Sequence, residues 1–176
     1  MMRPLFLITL LILIFQPIAY AEIVNIGWGP PAEVRIRVGA QTGVTTVTHN
    51  IPATQIGDGT PIEGTPASVL IEASARRATS QAASQTYFII SVDSSTPLSN
   101  GISTIPFTNI SWTAEDGGNR GIPSGNFDGS PAQVLVRRPI STRWLVTDYH
   151  TFYYNNTQIV PSGTYTGSVT YTISIP

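Results

Sequence analysis

The chain ends on TYTGSVTYTISIP, and from Thr164 to Ile175 its side chains alternate. Tyr165, Gly167, Val169, Tyr171, Ile173 and Ile175 fall on one face, while Thr164, Thr166, Ser168, Thr170, Thr172 and Ser174 fall on the other. A period of two, carried by aromatic and β-branched residues, is the pattern of a half-buried β-strand. At about 3.3 Å per residue such a run spans ~35 Å. A strand this long and regular cannot stand with a bare edge, because its unpaired N–H and C=O groups would template association. It must be paired inside the domain or covered by a partner.

The rest of the chain reads the same way. Glu33–Val38 alternates strictly, with Val34, Ile36 and Val38 on one face. Thr45–His49, Ser68–Ala73, Thr86–Val92, Pro106–Thr113, Gln133–Arg138 and Trp144–Tyr154 are further strand candidates. Thr86–Val92 is almost continuously apolar, which fits a central strand buried on both faces. Asp58-Gly59, Asn100-Gly101, Asp116-Gly117-Gly118 and Asp128-Gly129 punctuate them as turns. Residues 73–83 lack an apolar stripe and read as a polar loop or one helical turn. Closely spaced strands without intervening helices predict an all-β chain, a β-sandwich first and a closed barrel second.

One turn is spelled twice. Ile122-Pro-Ser-Gly-Asn-Phe-Asp-Gly-Ser130 and Val160-Pro-Ser-Gly-Thr-Tyr-Thr-Gly-Ser168 share a pattern over nine residues. Proline keeps out of a central ladder, and Gly125 and Gly163 would supply a left-handed or otherwise strained turn. Phe127 and Tyr165 would then be the first side chains of the new strands to reach the core. Gly129 and Gly167 would mark a bulge or a close backbone approach. Both copies are thus expected to be turns leading into strands of one sandwich.

The N-terminus carries a different signal. Arg3 precedes a short apolar run, Leu5–Phe15, and Ala19-Tyr20-Ala21 has the A-x-A form of a cleavage site. This predicts a secretory signal peptide over residues 1–21, an exported protein, and a single mature domain over 22–176. The apolar run is shorter than the roughly 20 residues of a spanning helix, so no transmembrane segment is expected in the mature chain. There is no cysteine. Stability must then come from packing and hydrogen bonds, and thiol chemistry is excluded. Nine arginines stand against ten acids, with no lysine. So sparse and balanced a charge gives no polyelectrolyte signal, and nucleic acid is not an expected partner.

The terminal strand is similar to the C-terminal signature of bacterial chaperone–usher pilus subunits. That family places a glycine about fourteen positions from the end, followed by alternating apolar residues. Gly163 is the fourteenth residue from the end, and Tyr165, Val169, Tyr171, Ile173 and Ile175 supply the alternation. The resemblance implies an immunoglobulin-like sandwich lacking one strand and completed by strand exchange. The gap is filled by a periplasmic chaperone and then by the N-terminal extension of another pilus subunit. It makes Gly163, Tyr165, Val169, Tyr171, Ile173 and Ile175 the lining of the acceptor groove. Ile23, Val24, Ile26 and Trp28 become the donor segment. The implied function is structural, at the periplasm or cell surface, without enzyme activity or cofactor.

Other sites weigh less. His49 and His150 are the only histidines, and no G-x-S-x-G elbow accompanies them. Glu115–Asn119 and Asn126–Gly129 offer oxygens but not the spacing of a Ca²⁺ loop, and turn chemistry explains them without a metal. Trp28, Trp112, Trp144, Tyr149, Phe152, Tyr153 and Tyr154 could form a sugar-stacking platform, although aromatics in a sandwich are more often core. The alternative function is therefore a secreted carbohydrate-binding or adhesion module, with glycan as its partner and a complete monomeric sandwich.

Overall fold

The computed structural model describes residues 30–39, 45–82, 86–115 and 121–176, and the backbone of residues 11–15. Among the described residues the protein is all-β and folds as two packed sheets, the β-sandwich expected from the sequence.

The first sheet contains β1 (Leu11–Phe15), β3 (Thr45–His49), β6 (Tyr87–Asp93), β11 (Gln133–Pro139) and β13 (Thr166–Ser174). Their order is β11-β6-β13-β1-β3. A hairpin of β7 (Leu98–Ser99) and β8 (Thr104–Ile105) joins it, with Ser99 opposite Thr166. The second sheet contains β2 (Glu33–Val38), β5 (Val69–Arg76), β9 (Ile110–Ala114), β10 (Gly125–Asn126) and β12 (Arg143–Tyr154). Their order is β10-β9-β12-β5-β2, and β4 (Ile62–Glu63) pairs with the end of β12. Every pairing is antiparallel except β1 with β13.

Alternation sets the two layers. Val34 and Ile36 of β2, Val69, Ile71, Ala73 and Ala75 of β5, and Phe152 and Tyr154 of β12 are buried from one sheet. Phe88, Ile90 and Val92 of β6 and Val169, Tyr171 and Ile173 of β13 are buried from the other. β6 is central, as its apolar composition suggested, yet its Tyr87, Ile89 and Ser91 remain half-exposed.

The expectation of a loop or helical turn over 73–83 needs correction. β5 continues to Arg76, with Ala73 and Ala75 buried and Ser74 and Arg76 half-exposed between them. Alanine is a weak apolar marker, so the alternation was there without a visible stripe. Ala78–Gln81 then turns, with the Gln81 amide donating to the Ala78 carbonyl.

Three of the Asx–Gly turns form as expected, and Asp116-Gly117-Gly118 lies outside the described residues. Asp58, Asn100 and Asp128 each accept a backbone N–H two residues on, and Gly59, Gly101 and Gly129 take positive φ. The repeated turn behaves differently at its first glycine. Among the described glycines, Gly125 and Gly163 are not in the left-handed region. Space is what they provide: a Cβ on Gly125 would sit 3.1 Å from the Trp112 ring, and one on Gly163 would sit 3.0 Å from Asn100 Nδ2. The two copies enter strands of different sheets, and both aromatics reach the core as expected. Phe127 packs against Phe107, Trp112 and Phe152. Tyr165 donates its hydroxyl to the Pro161 carbonyl at 2.9 Å.

Candidate functional site

The feature that sets this sandwich apart lies where β13 meets β3. The two strands do not pair with each other. β1 lies between them, with Ile12 opposite Thr166 and Phe15 opposite Val169 on one side. On the other side Leu11 faces His49 and Phe15 faces Thr45. Without β1 the sheet would carry a slot one strand wide, with walls two ladder spacings, ~10 Å, apart.

Each wall is held from behind. On its far side β13 pairs with Ser99 of β7 at Thr166 and with β6 from Thr170 to Ser174. On its far side β3 is stitched to the second sheet: the Thr48 and Thr65 amides exchange hydrogen bonds of 2.9 and 2.8 Å. The next residue back, Gly64, donates to the Phe152 carbonyl. A Cβ there would fall 2.3 Å from Val47, so only glycine lets β3 lie this close to β12. Gly167 plays the matching part on the other wall, where a Cβ would meet Leu98 at 2.9 Å. This is the close approach expected of that glycine. Its counterpart Gly129 serves through its positive φ.

The walls are apolar inside and uncharged outside. Val47 and His49 of β3 and Val169 of β13 are fully buried, and Thr46, Thr166 and Thr170 are exposed. His49 Nδ1 bonds the Ile62 carbonyl at 2.8 Å, while its Nε2 is buried without a partner. Burial holds its pKa below the usual histidine value, against the opposing effect of that backbone bond. The ring therefore sits neutral, near Tyr154. Burial also raises the pKa of Tyr154, with Tyr165 adding to the effect. Beyond the Leu11 end of the slot, Ile51, Ile56, Ile105, Tyr154, Val160 and Tyr165 enclose a largely apolar cavity of about 40 Å³. Asn156, buried and at φ 49°, ties the 51–59 loop across this cavity. It accepts from the Gly57 amide and donates to the Gln55 carbonyl.

The sequence-predicted groove residues occupy one face of β13 and its flanks. Tyr165, Val169, Tyr171, Ile173 and Ile175 are all buried, and Gly163 is half-buried. Of these only Val169 lies on the stretch paired with β1. Tyr171 and Ile173 lie where β13 pairs with β6, deep in the common core, and burial pushes the Tyr171 hydroxyl pKa far up. The predicted donor residues Ile23, Val24, Ile26 and Trp28 lie outside the described residues. Sequence reasoning missed the β3 wall. Thr45–His49 was legible as a strand, but nothing in it names its neighbour.

Most other candidates among the described residues resolve into core or turn, and Asp116–Asn119 of the Glu115–Asn119 candidate lie outside them. Trp112, Phe152 and Tyr154 are buried, and Trp144 is half-buried against Phe88, 4.2 Å between ring centroids. Among the described members of that group Tyr149 is well exposed and Tyr153 half-exposed, and Trp28 lies outside the described residues. Tyr149 lies in an open cleft of about 410 Å³ with Ser68, Thr113, Glu115 and Thr151. His150 and Asp148 lie 3.8 Å apart inside the sandwich, His150 stacked on Trp112 and both nearly inaccessible. The Asp128 carboxylate is engaged by the Ser130 amide. Among the described residues no helix is long and apolar enough to cross a membrane.

In comparisons with known proteins, no family model and no curated protein matches this sequence.

Proposed function

We propose that this protein is a structural subunit of an exported bacterial surface fibre, assembled by β-strand addition into the slot between β13 and β3. One observation carries the reading: among the described residues those two strands are joined in the sheet through Leu11–Phe15, the segment read from sequence as the apolar centre of an export signal. Removal of residues 1–21 leaves two facing edges with unmet backbone groups and opens the flank of Val47 and Val169. Each buried valine is worth about 1.5–3 kcal/mol, and total domain stability is about 5–15 kcal/mol. The loss is large enough to make the processed chain depend on a replacement strand. A donor from another copy, or from a periplasmic chaperone, restores the ladder through main-chain hydrogen bonds. The residues assigned to the acceptor are Val47, His49, Tyr165 and Val169, continuous with Tyr171, Ile173 and Ile175. The role is not enzymatic.

The test is size-exclusion chromatography with thermal unfolding on Glu22–Pro176, alone and with a peptide of residues 22–31. Self-association, or a monomer strongly stabilised by the peptide, is expected. A cooperative monomer indifferent to the peptide would contradict strand addition.

A second reading has one observation in its favour. The cleft beside Tyr149 sets an exposed ring among the hydroxyls of Ser68, Thr113 and Thr151 and the Glu115 carboxylate. These are the groups that stack on and hydrogen-bond a sugar. Glycan binding abolished by Tyr149→Ala, with folding unchanged, would support it.

A further inference from the structure

We propose that the chain's own leader is the first occupant of the slot, and that it holds the unprocessed protein in a self-completed form unable to accept a strand from another copy. This rests on the strand-addition reading and adds regulation of the same site. Cleavage becomes the step that arms the subunit.

The pairing supports an occupant rather than a chance contact. All five residues Leu11–Phe15 are in register with β3, and Ile12–Phe15 are simultaneously in register with β13. A segment paired on both sides leaves neither wall available. Its composition, Leu-Ile-Leu-Ile-Phe, is apolar and charge-free, and the β3 and β13 stretches beside it carry no acid, lysine or arginine. Its direction is defined as well, parallel to β13 and antiparallel to β3.

The tether makes this occupant hard to displace. The link from Phe15 to Glu33 is long enough to bridge most of a small domain, at up to ~3.3 Å per residue. A segment held on such a link acts at an effective concentration of about millimolar. A free donor at micromolar concentration cannot compete with it. Hydrolysis of the Ala21–Glu22 peptide bond by a signal-cleaving protease adds water across the bond, leaving a carboxylate on Ala21 and an amine on Glu22. The leader is then an untethered peptide, lost on dilution, and the slot opens.

The absence of cysteine gives a clean test. In the full chain with cleavage blocked, the pairs Ile14→Cys/Ser168→Cys and Ile14→Cys/Thr46→Cys should crosslink. Ile14→Cys/Ser174→Cys, out of register, should not. The same full chain should be monomeric and should ignore the 22–31 peptide at micromolar concentration. A Thr9–Gln16 peptide with a solubilising lysine tail, added to Glu22–Pro176, should stabilise it in proportion to its concentration and match the full chain only near ~1 mM. Failure of both in-register crosslinks, with a full chain as prone to associate as Glu22–Pro176, would overturn the inference. If Glu22–Pro176 still responds to the 22–31 peptide, the strand-addition reading survives that failure. If Glu22–Pro176 is by itself a stable monomer indifferent to every strand peptide, both readings fall together.

Discussion

The outer edges of the two sheets and the inner walls of the slot are built on opposite plans. β2 closes the second sheet with Glu33, Arg35 and Arg37 along its outward face. Glu33 lies 2.6 Å from Arg35 and 2.9 Å from Arg76, and Arg37 pairs with Glu72. β11 closes the first sheet with a bulge between Val134 and Val136, Arg137 over the Tyr87 ring, and Pro139 at its end. Charges, bulges and proline are the devices by which sheet edges refuse a new strand. The β3 and β13 stretches beside β1 carry no acid, lysine, arginine, bulge or proline, offering Thr45-Thr46-Val47-Thr48-His49 on one side and Thr166-Gly167-Ser168-Val169 on the other. The edges formed by β2 and β11 carry such devices, and the stretches on either side of β1 do not. Exposed surface ion pairs contribute only about 0–1 kcal/mol each, so the charges on β2 add little to the stability of the domain.

The comparison can be broken by moving a charge. Val169→Asp places a carboxylate at a fully buried wall position and should cost more than ~3 kcal/mol, enough to unfold a marginal domain. Val134→Asp puts the same charge on the outer edge strand, at a side chain 58% exposed, and should stay within about 0.5 kcal/mol. Equal losses in urea unfolding would show that the two edges do not differ as described. Gly167→Val tests how the β13 wall is backed. Its Cβ would lie 2.9 Å from the Leu98 side chain and 3.1 Å from the Leu98 Cα, so the β7 hairpin must move. A loss of about 1–3 kcal/mol is expected, with the m-value unchanged.

The smallest effect is a pH dependence at the β3 wall. Burial lowers the His49 pKa below its ordinary 6.5, so the unfolded chain takes up the proton first. This group therefore leaves stability flat above pH 6.5 and erodes it as pH falls below that value, by at most ~1.4 kcal/mol per unit. Melting temperatures at pH 7.5 and 5.0 should differ less in His49→Gln than in the parent protein. An identical slope in both would remove His49 from the account.

Much of the fold was legible because alternation was strong. β2 and β3 fall on Glu33–Val38 and Thr45–His49 as read, and the face of β13 from Tyr165 to Ile175 is the buried one. The short strands were not legible. Leu98–Ser99 and Gly125–Asn126 are two residues each, too short to show a period, and glycine gives each its close approach, Gly167 to Leu98 and Gly125 to Trp112. The aromatic run of β12 could not be sorted by composition. Its parity decides, sending Phe152 and Tyr154 inward and Tyr149 outward. The candidate site was half visible. The β13 wall announced itself, but the β3 wall and the strand between them depend on long-range pairing that no local pattern encodes. An apolar run such as Leu5–Phe15 carries no period to give its direction, and the parallel pairing of β1 was not readable from it.

The account turns on whether the slot needs an occupant, and amide hydrogen exchange on Glu22–Pro176 addresses that directly. With residues 1–21 absent, the amides of Thr45–Val47, His49 and Thr166–Val169 should exchange much faster than those of β5 and β12, and an added strand peptide should slow them selectively, while Thr48 keeps its bond to Thr65. Slow exchange in both segments without any peptide would mean that the sheet closes by itself, and would contradict the claim that this domain is completed from outside.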